Sequence, residues 1–343
     1  MIKRFIFLLL TIFSSFLVFS FLWFMYWLKS SNPLHKEPVE YSLIEGSTFT
    51  KVAYDLERQN VISHPKLFSV YAKIIQVTGD LKVGSYLFPV DISPDQVLSK
   101  LVRGDIITTR ITIAEGLNIY QISELLSQYF PKVNYKIWID LMHSKELIQY
   151  VSPQAKVNSL EGFIFPQTYV FNPSSPPKFI VKTFLTEFKK NVTQEMLDKA
   201  KQLGLSQLQY VTLASIVERE TGLPTERERI AGVYWNRLKI KMKLQADPTV
   251  IYGVWKTYKG SLTRKDLVTP TPYNTYTQYG LPPGPIANPG LASLKATLSP
   301  VSNDLYFVAK GDGSHIFSKN LVDHNKAVRN YVIFLKKSKK ESN

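Results

Sequence analysis

Ala214-Ser-Ile-Val-Glu-Arg-Glu-Thr221 sets one acid, Glu218, at the edge of an apolar helix. Tyr210, Leu213, Ala214 and Val217 recur at helical intervals and predict a buried stripe with Glu218 just beside it. Three and four residues from Glu218 stand Ser215, Ala214 and Thr221, all small, so the spacing predicts room for a ligand at the carboxylate. Glu220 is expected on the opposite side. Gly222 and Pro224 end the helix, and Thr225 with Glu228 reads as a capping box opening a second helix through Ile230, Val233, Tyr234 and Leu238. A lone carboxylate half-sheltered by hydrocarbon is a place where proton transfer becomes possible. The ordinary alternative is a surface glutamate paired with Arg219 or Arg227.

Outward from this helix, the N-terminal residues 5–28 form an apolar and aromatic run interrupted only by Thr11, Ser14, Ser15 and Ser20. At about 1.5 Å per residue it reaches roughly 36 Å, enough to cross a hydrocarbon core of about 30 Å with some tilt. No small-x-small cleavage pattern follows, so the run predicts a permanent anchor rather than a signal peptide. Lys3 and Arg4 before it, with Lys29 and Lys36 after it, favour a cytoplasmic N-terminus, and Trp23, Tyr26 and Trp27 mark one membrane interface. Zero cysteines remove disulfides, thiol nucleophiles and cysteine metal sites together. The formal charge of +15 is scattered, with only Lys336-Lys-Ser-Lys-Lys340 as a run, which points away from nucleic acid and toward a negatively charged wall or membrane surface.

Residues 41–104 read as a small α/β module. A strand ends at Ile44-Glu-Gly46, Ser47 or Thr48 caps a helix through Val52, Ala53 and Leu56, residues 82–88 are strand-like, and Ser93-Pro94 opens a helix stopping at Gly104. Glu115-Gly116 with Asn118, Ile119, Ile122 and Leu126 echoes Glu45-Gly46 with Thr48, Phe49, Val52 and Leu56. Pro248 disfavours the helical region for Asp247, which with Gln245 is expected in a turn aimed at a cleft. Residues 269–290 hold six prolines and three glycines, a stiff loop that presents Tyr273, Asn274, Tyr276, Gln278, Tyr279 and Asn288. Leu305-Tyr-Phe-Val-Ala-Lys310 and Ser314-His-Ile-Phe-Ser318 predict a hairpin around Gly311-Asp-Gly313, followed by a helix through Val322, Val328 and Val332. His315 and His324 lack metal-ligand spacing, and no phosphate loop, dinucleotide fingerprint or Gly-x-Ser-x-Gly elbow appears, so neither metal nor cofactor is expected.

The segment around Glu218, then Asn236-Arg-Leu238, Leu244-Gln-Ala-Asp-Pro-Thr-Val-Ile-Tyr-Gly253, Tyr273-Asn-Thr-Tyr276, Gly280-Leu-Pro-Pro-Gly-Pro-Ile286, Asn288-Pro-Gly290 and His324-Asn325, in this order, closely resembles the YceG-like endolytic murein transglycosylases. Leu81-Lys-Val-Gly-Ser-Tyr86, Glu115-Gly116 and Leu160-Glu-Gly162 extend the resemblance toward the N-terminus, while Gln167 stands where members often carry an acid.

The resemblance implies an α+β fold: cytoplasmic residues 1–4, a transmembrane helix over 5–28, a linker over 29–40, a LysM-like subdomain over 41–107, a catalytic domain over 108–335 and a basic tail over 336–343. It implies an inner-membrane, single-pass lyase whose catalytic domain is periplasmic or otherwise extracytoplasmic. That enzyme cuts peptidoglycan glycan strands between N-acetylmuramic acid and N-acetylglucosamine and leaves 1,6-anhydromuramoyl ends, without cofactor or metal. Glu218 matches the catalytic glutamate. The resemblance offers Gln245, Asp247, Thr249, Asn274, Tyr276, Pro283, Asn288, His324 and Asn325 for substrate binding. Partners expected are glycan strands and the cell membrane, with a peptidoglycan synthase left open and no nucleic acid. Two other readings stay open: a hydrolytic muramidase pairing Glu218 with Asp247, and a non-catalytic wall-binding scaffold. A cytoplasmic pyridoxal-dependent lyase is opposed by the anchor.

Overall fold

A computed structural model describes residues 2–153 and 157–341, an α+β chain dominated by helices, with short two-stranded sheets. Ser342 and Asn343, the end of the expected basic tail, and Met1 of the expected cytoplasmic N-terminus lie outside the described residues. The chain divides into two compact units, residues 1–110 with 170–175, and residues 111–169 with 176–343.

In the first unit, α1 (Ile2–Lys29) contains an apolar stretch, Arg4–Lys29, long enough to cross a membrane. Its last turn changes character: Trp27 and Leu28 are buried in the core of this unit, and the Trp27 indole N–H donates to Ser63 Oγ at 3.0 Å. Lys29 then reaches Asp95 at 2.7 Å, and this ammonium with the Tyr71 hydroxyl holds the Asp95 carboxyl below its ordinary range. The core that receives Trp27 is built by β1 (Val39–Leu43), α2 (Phe49–Arg58), α3 (Pro65–Ile74), β2 (Gly84–Phe88) and α4 (Pro94–Arg103). The two strands are antiparallel, with Tyr41 opposite Tyr86. Local chemistry sets these elements as the sequence predicts: Thr48 caps α2, Ser93 and Gln96 form a capping box on α4, and Gly104 ends α4 at a left-handed φ of 75°.

The second unit opens near β3 (Thr109–Thr112) and α5 (Ile119–Tyr129), which carries a capping box of Asn118 and Gln121. It continues with α6 (Tyr135–Met142) and α7 (Lys145–Val151), then β4 (Thr168–Phe171), whose last two residues are counted with the first unit, and α8 (Pro177–Asn191) and α9 (Gln194–Gln202). The central post is α10 (Gln207–Glu220), capped by the Ser206–Gln209 box. Every residue from Tyr210 to Val217 is buried, not only the expected stripe, so α10 needs neighbours on all sides. These are α11 (Arg227–Lys239), α12 (Asp247–Gly253) and α14 (Leu291–Leu298), with the short α13 (Arg264–Val268) beside α12. Tyr210 donates to Leu294 O at 2.9 Å and Trp235 to Thr297 O at 3.0 Å, so α14 is pinned to α10 and to α11. The antiparallel hairpin β5 (Tyr306–Ala309) and β6 (His315–Ser318) follows, then α15 (Leu321–Glu341).

The expected Thr225–Glu228 capping box does not form. Residues 224–226 wind as a 3-10 turn, α11 begins at Arg227, and no side chain caps it. Glu226, the residue before α11, accepts the His315 backbone N–H at 2.9 Å and faces His315 Nδ1 at 2.7 Å, a long-range pairing. Asp247 also departs from expectation, since it opens α12 and the turn before it is made by Gln245 at a φ of 50°.

Because Trp27 belongs to a packed core, Trp27→Ala is expected to cost the full chain about 3 kcal/mol of stability, as for a buried aromatic. Thermal unfolding in detergent checks this, and an unchanged midpoint would show that the helix end is not part of the first unit's core.

Candidate active site

Glu218 emerges at the last turn of α10, its side chain 6% exposed. One carboxylate oxygen, Oε2, accepts the Gly290 N–H at 2.9 Å, and Oε1 lies 3.8 Å from the Arg227 guanidinium. Gly290 is the N-cap of α14, so the donor is held by the same helix that packs on α10. The small neighbours of Glu218 serve a different purpose from the one the spacing suggests. Ala214 and Ser215 are buried, and Ser215 Oγ accepts the Ile286 N–H at 3.1 Å. They admit the proline-rich loop, not a ligand.

The same arginine nitrogen lies 3.8 Å from Glu115, whose side chain is 47% exposed. Glu115 sits on a turn that needs Gly116 at a φ of +77°, and that turn is locked from two sides. Gly116 N donates to Asn288 O at 2.9 Å, while Arg219 donates to Gly116 O at 3.2 Å. Burial and the neighbouring Glu218 charge push the Glu115 carboxyl up, against the pull of Arg227. A Cβ at residue 290 would lie against the Glu115 carboxylate, which would have to swing aside.

Asn288 ties this corner together. Its side-chain N–H groups go to Leu117 O at 2.9 Å and Glu161 at 3.1 Å, and its Oδ1 accepts the Ile164 N–H at 2.9 Å. Glu161 is buried and also accepts the Ile119 N–H at 3.1 Å and a bond from Tyr252. Burial pushes its carboxyl up to about 8 despite these donors.

Glu220 leaves α10 on the other side and accepts the Tyr234 hydroxyl at 2.6 Å. Burial pushes it up to about 7, the Tyr234 bond opposes, and the Asp247 charge adds to the rise. Asp247 accepts the Tyr276 hydroxyl at 2.6 Å, and the Arg237 guanidinium lies over the Tyr306 ring, on which His324 stacks with centroids 5.0 Å apart. Burial and Arg237 together hold the His324 imidazole below its ordinary value.

The sequence-expected residues therefore fall into separate settings. Asp247 and Tyr276 meet each other, with Glu220 and Arg237 as charged neighbours. Thr249 is buried and bonds Ala246 O and the Thr275 hydroxyl. The Asn274 amide is used within its loop, donating to the carbonyls of Asp266, Leu267 and Thr269 and accepting the Tyr276 N–H. Asn288 is buried against Glu161, Gln245 and Asn325 are exposed, and Pro283 is an exposed residue of a groove shared with Leu205, Trp235 and Tyr279. The carboxylate that shares an arginine with Glu218 is Glu115, not Asp247. The sequence names Arg227 as the partner of a surface glutamate, and Glu115 and Gly290 within motifs, but the sharing of Arg227 by Glu115 and Glu218 and the Gly290 N–H donor emerge only in the fold.

The YceG-like family model matches residues 42–330. The chain belongs to the YceG-like family. It is 33% identical over 327 residues to the endolytic murein transglycosylase of Bacillus subtilis (strain 168), covering 90% of each chain. It is 29% identical over 342 residues to the endolytic murein transglycosylase of Streptococcus pneumoniae serotype 2, covering 90% of this chain and 62% of that longer protein. A crystal structure of a yceG-like protein from Listeria monocytogenes superposes with a TM-score of 0.59 at 32% identity, over 85% of this chain and 99% of the other.

The raised Glu220 carboxyl gives a signed pH effect. Its folded value, about 7, lies above the unfolded one, so the folded state holds the proton more tightly and the associated stability is lost as pH rises from about 4.5 through 7. Glu220→Gln keeps an acceptor for Tyr234 and stays neutral. Its melting midpoint relative to wild type should rise between pH 5 and pH 8, and a difference independent of pH would contradict the assignment.

Proposed function

We propose that this YceG-like chain is a membrane-anchored endolytic murein transglycosylase, with Glu218 as its single acid and base. The observation that carries the reading is the setting of Glu218: a carboxylate sheltered at the end of a wholly buried helix, fixed by the Gly290 N–H and open toward Glu115 and Arg227. Such a group is held in place by the fold before a substrate arrives. The helix α1 anchors the enzyme in the inner membrane with its N-terminus cytoplasmic, and the second unit works on nascent glycan strands outside.

Protonated Glu218 gives its proton to the oxygen that links N-acetylmuramic acid to N-acetylglucosamine. The C1–O bond breaks and the electron pair stays with that oxygen, which leaves as a hydroxyl. The muramic 6-hydroxyl then attacks its own anomeric carbon, and the Glu218 carboxylate takes the hydroxyl proton. One C–O bond is broken and one formed, water is not consumed, and the acid is regenerated. Asp247, with the Tyr276 hydroxyl, and the exposed Gln245 offer polar contacts to a bound strand. Asn274, Thr249 and Asn288 act one step back, bracing the loop and turns that shape the cleft.

Glu218→Gln should lower the rate of strand cleavage by about 10²–10⁴-fold while keeping the melting midpoint. Mass spectrometry of digested peptidoglycan should find 1,6-anhydromuramoyl ends with wild type. Reducing ends without anhydro products would replace this reading with a hydrolytic muramidase, and no cleavage at all would favour a binding scaffold.

A further inference from the structure

We propose that Glu115 is the second carboxylate of the reaction centre, an anion that faces the cationic sugar created when Glu218 protonates the leaving oxygen. The inference rests on the glycan-cleaving reading above. Two 3.8 Å legs to one Arg227 nitrogen keep a Glu115 oxygen and a Glu218 oxygen no more than about 7.6 Å apart, under the roughly 9.5 Å limit for paired glycosidase carboxylates that flank a sugar. Neither leg is a tight ion pair, so Arg227 lies between the two acids without consuming either.

Three elements are shaped around this side chain. Gly116 takes a left-handed conformation that Asn288 O and Arg219 hold, which fixes the backbone beneath Glu115. Gly290 leaves open the space that the Glu115 carboxylate fills, and gives its own N–H to Glu218. The start of α11 supplies Arg227. The charged groups around the pair are Arg219 on α10, Arg227 on α11 and the buried Glu161 behind Asn288, so Glu115 is the exposed anion of the corner.

When the C1–O bond breaks, positive charge develops on the anomeric carbon and ring oxygen. A carboxylate facing that charge interacts more strongly with the transition state than with the neutral substrate. Glu115 forms no bond to the sugar and exchanges no proton. The muramic O6 closes on C1, and its proton returns to Glu218.

The test compares full-length wild type, Glu115→Gln, Glu115→Asp and Asp247→Asn in detergent on purified glycan strands. Glu115→Gln should lose about 10²-fold in kcat with KM within about threefold, and Glu115→Asp should recover part of the loss because it keeps the charge. An active wild type with undiminished kcat in Glu115→Gln overturns this inference alone. So does a loss confined to KM, an equal loss in Gln and Asp variants, or a larger kcat loss in Asp247→Asn than in Glu115→Gln. A wild type that leaves glycan strands intact overturns the glycan reading and this inference with it.

Discussion

Complete burial of α10 is the constraint on which the second unit depends. A helix with eight consecutive buried residues has no solvent face, so chain must cover it on all sides. The covering elements bring their own polar atoms, which must find partners where the apolar post ends. That end carries Glu218 and Glu220, two residues apart and therefore on different sides. Gly290 of the α14 cap and Arg227 of α11 converge on the first, while Tyr234 of α11 binds the second. The hydrophobic effect thus positions a polar site, because the packing that hides Tyr210 also delivers the donor that holds Glu218.

Two electrostatic environments result from one helix end. Around Glu220 the groups are buried and bonded to one another, which suits a strut that joins α10, α11 and the Tyr276 loop. Around Glu218 the carboxylate is sheltered, but its neighbour Glu115 remains half in solvent, so this corner is reachable from outside. Asn288 and Glu161 stand behind this open corner and have no polar capacity to spare for a ligand. Their contribution is stiffness, and stiffness is what a single proton-transferring group requires.

Local features were legible in the chain. The caps at Thr48 and Ser93, the helix stop at Gly104, the hairpin at Gly311 and the long apolar α1 all follow from short-range chemistry, and the structure carries each. Glu218 was legible as a sheltered acid because its helix pattern is local. Of its neighbours only Arg227 was in view, since Glu115 is 103 residues earlier and Gly290 is 72 residues later, beyond the reach of any periodicity. Sequence proximity favoured Asp247, but the Tyr276 hydroxyl claims that carboxylate. The missing cap at Thr225 follows from the 3-10 turn over 224–226, which moves the start of α11 to Arg227. Trp27 shows the limit from the other direction: an aromatic read as an interface marker also closes a core.

The central claim is that a single sheltered carboxylate breaks the glycosidic bond with the sugar's own hydroxyl in place of water. Digestion of glycan strands in water enriched in oxygen-18 tests it most directly, by the isotope content of the new muramic ends. Products whose new muramic ends carry no heavy oxygen are expected, since O6 closes the ring. One oxygen-18 per cleavage on the anomeric carbon would contradict the claim and make the enzyme a hydrolase.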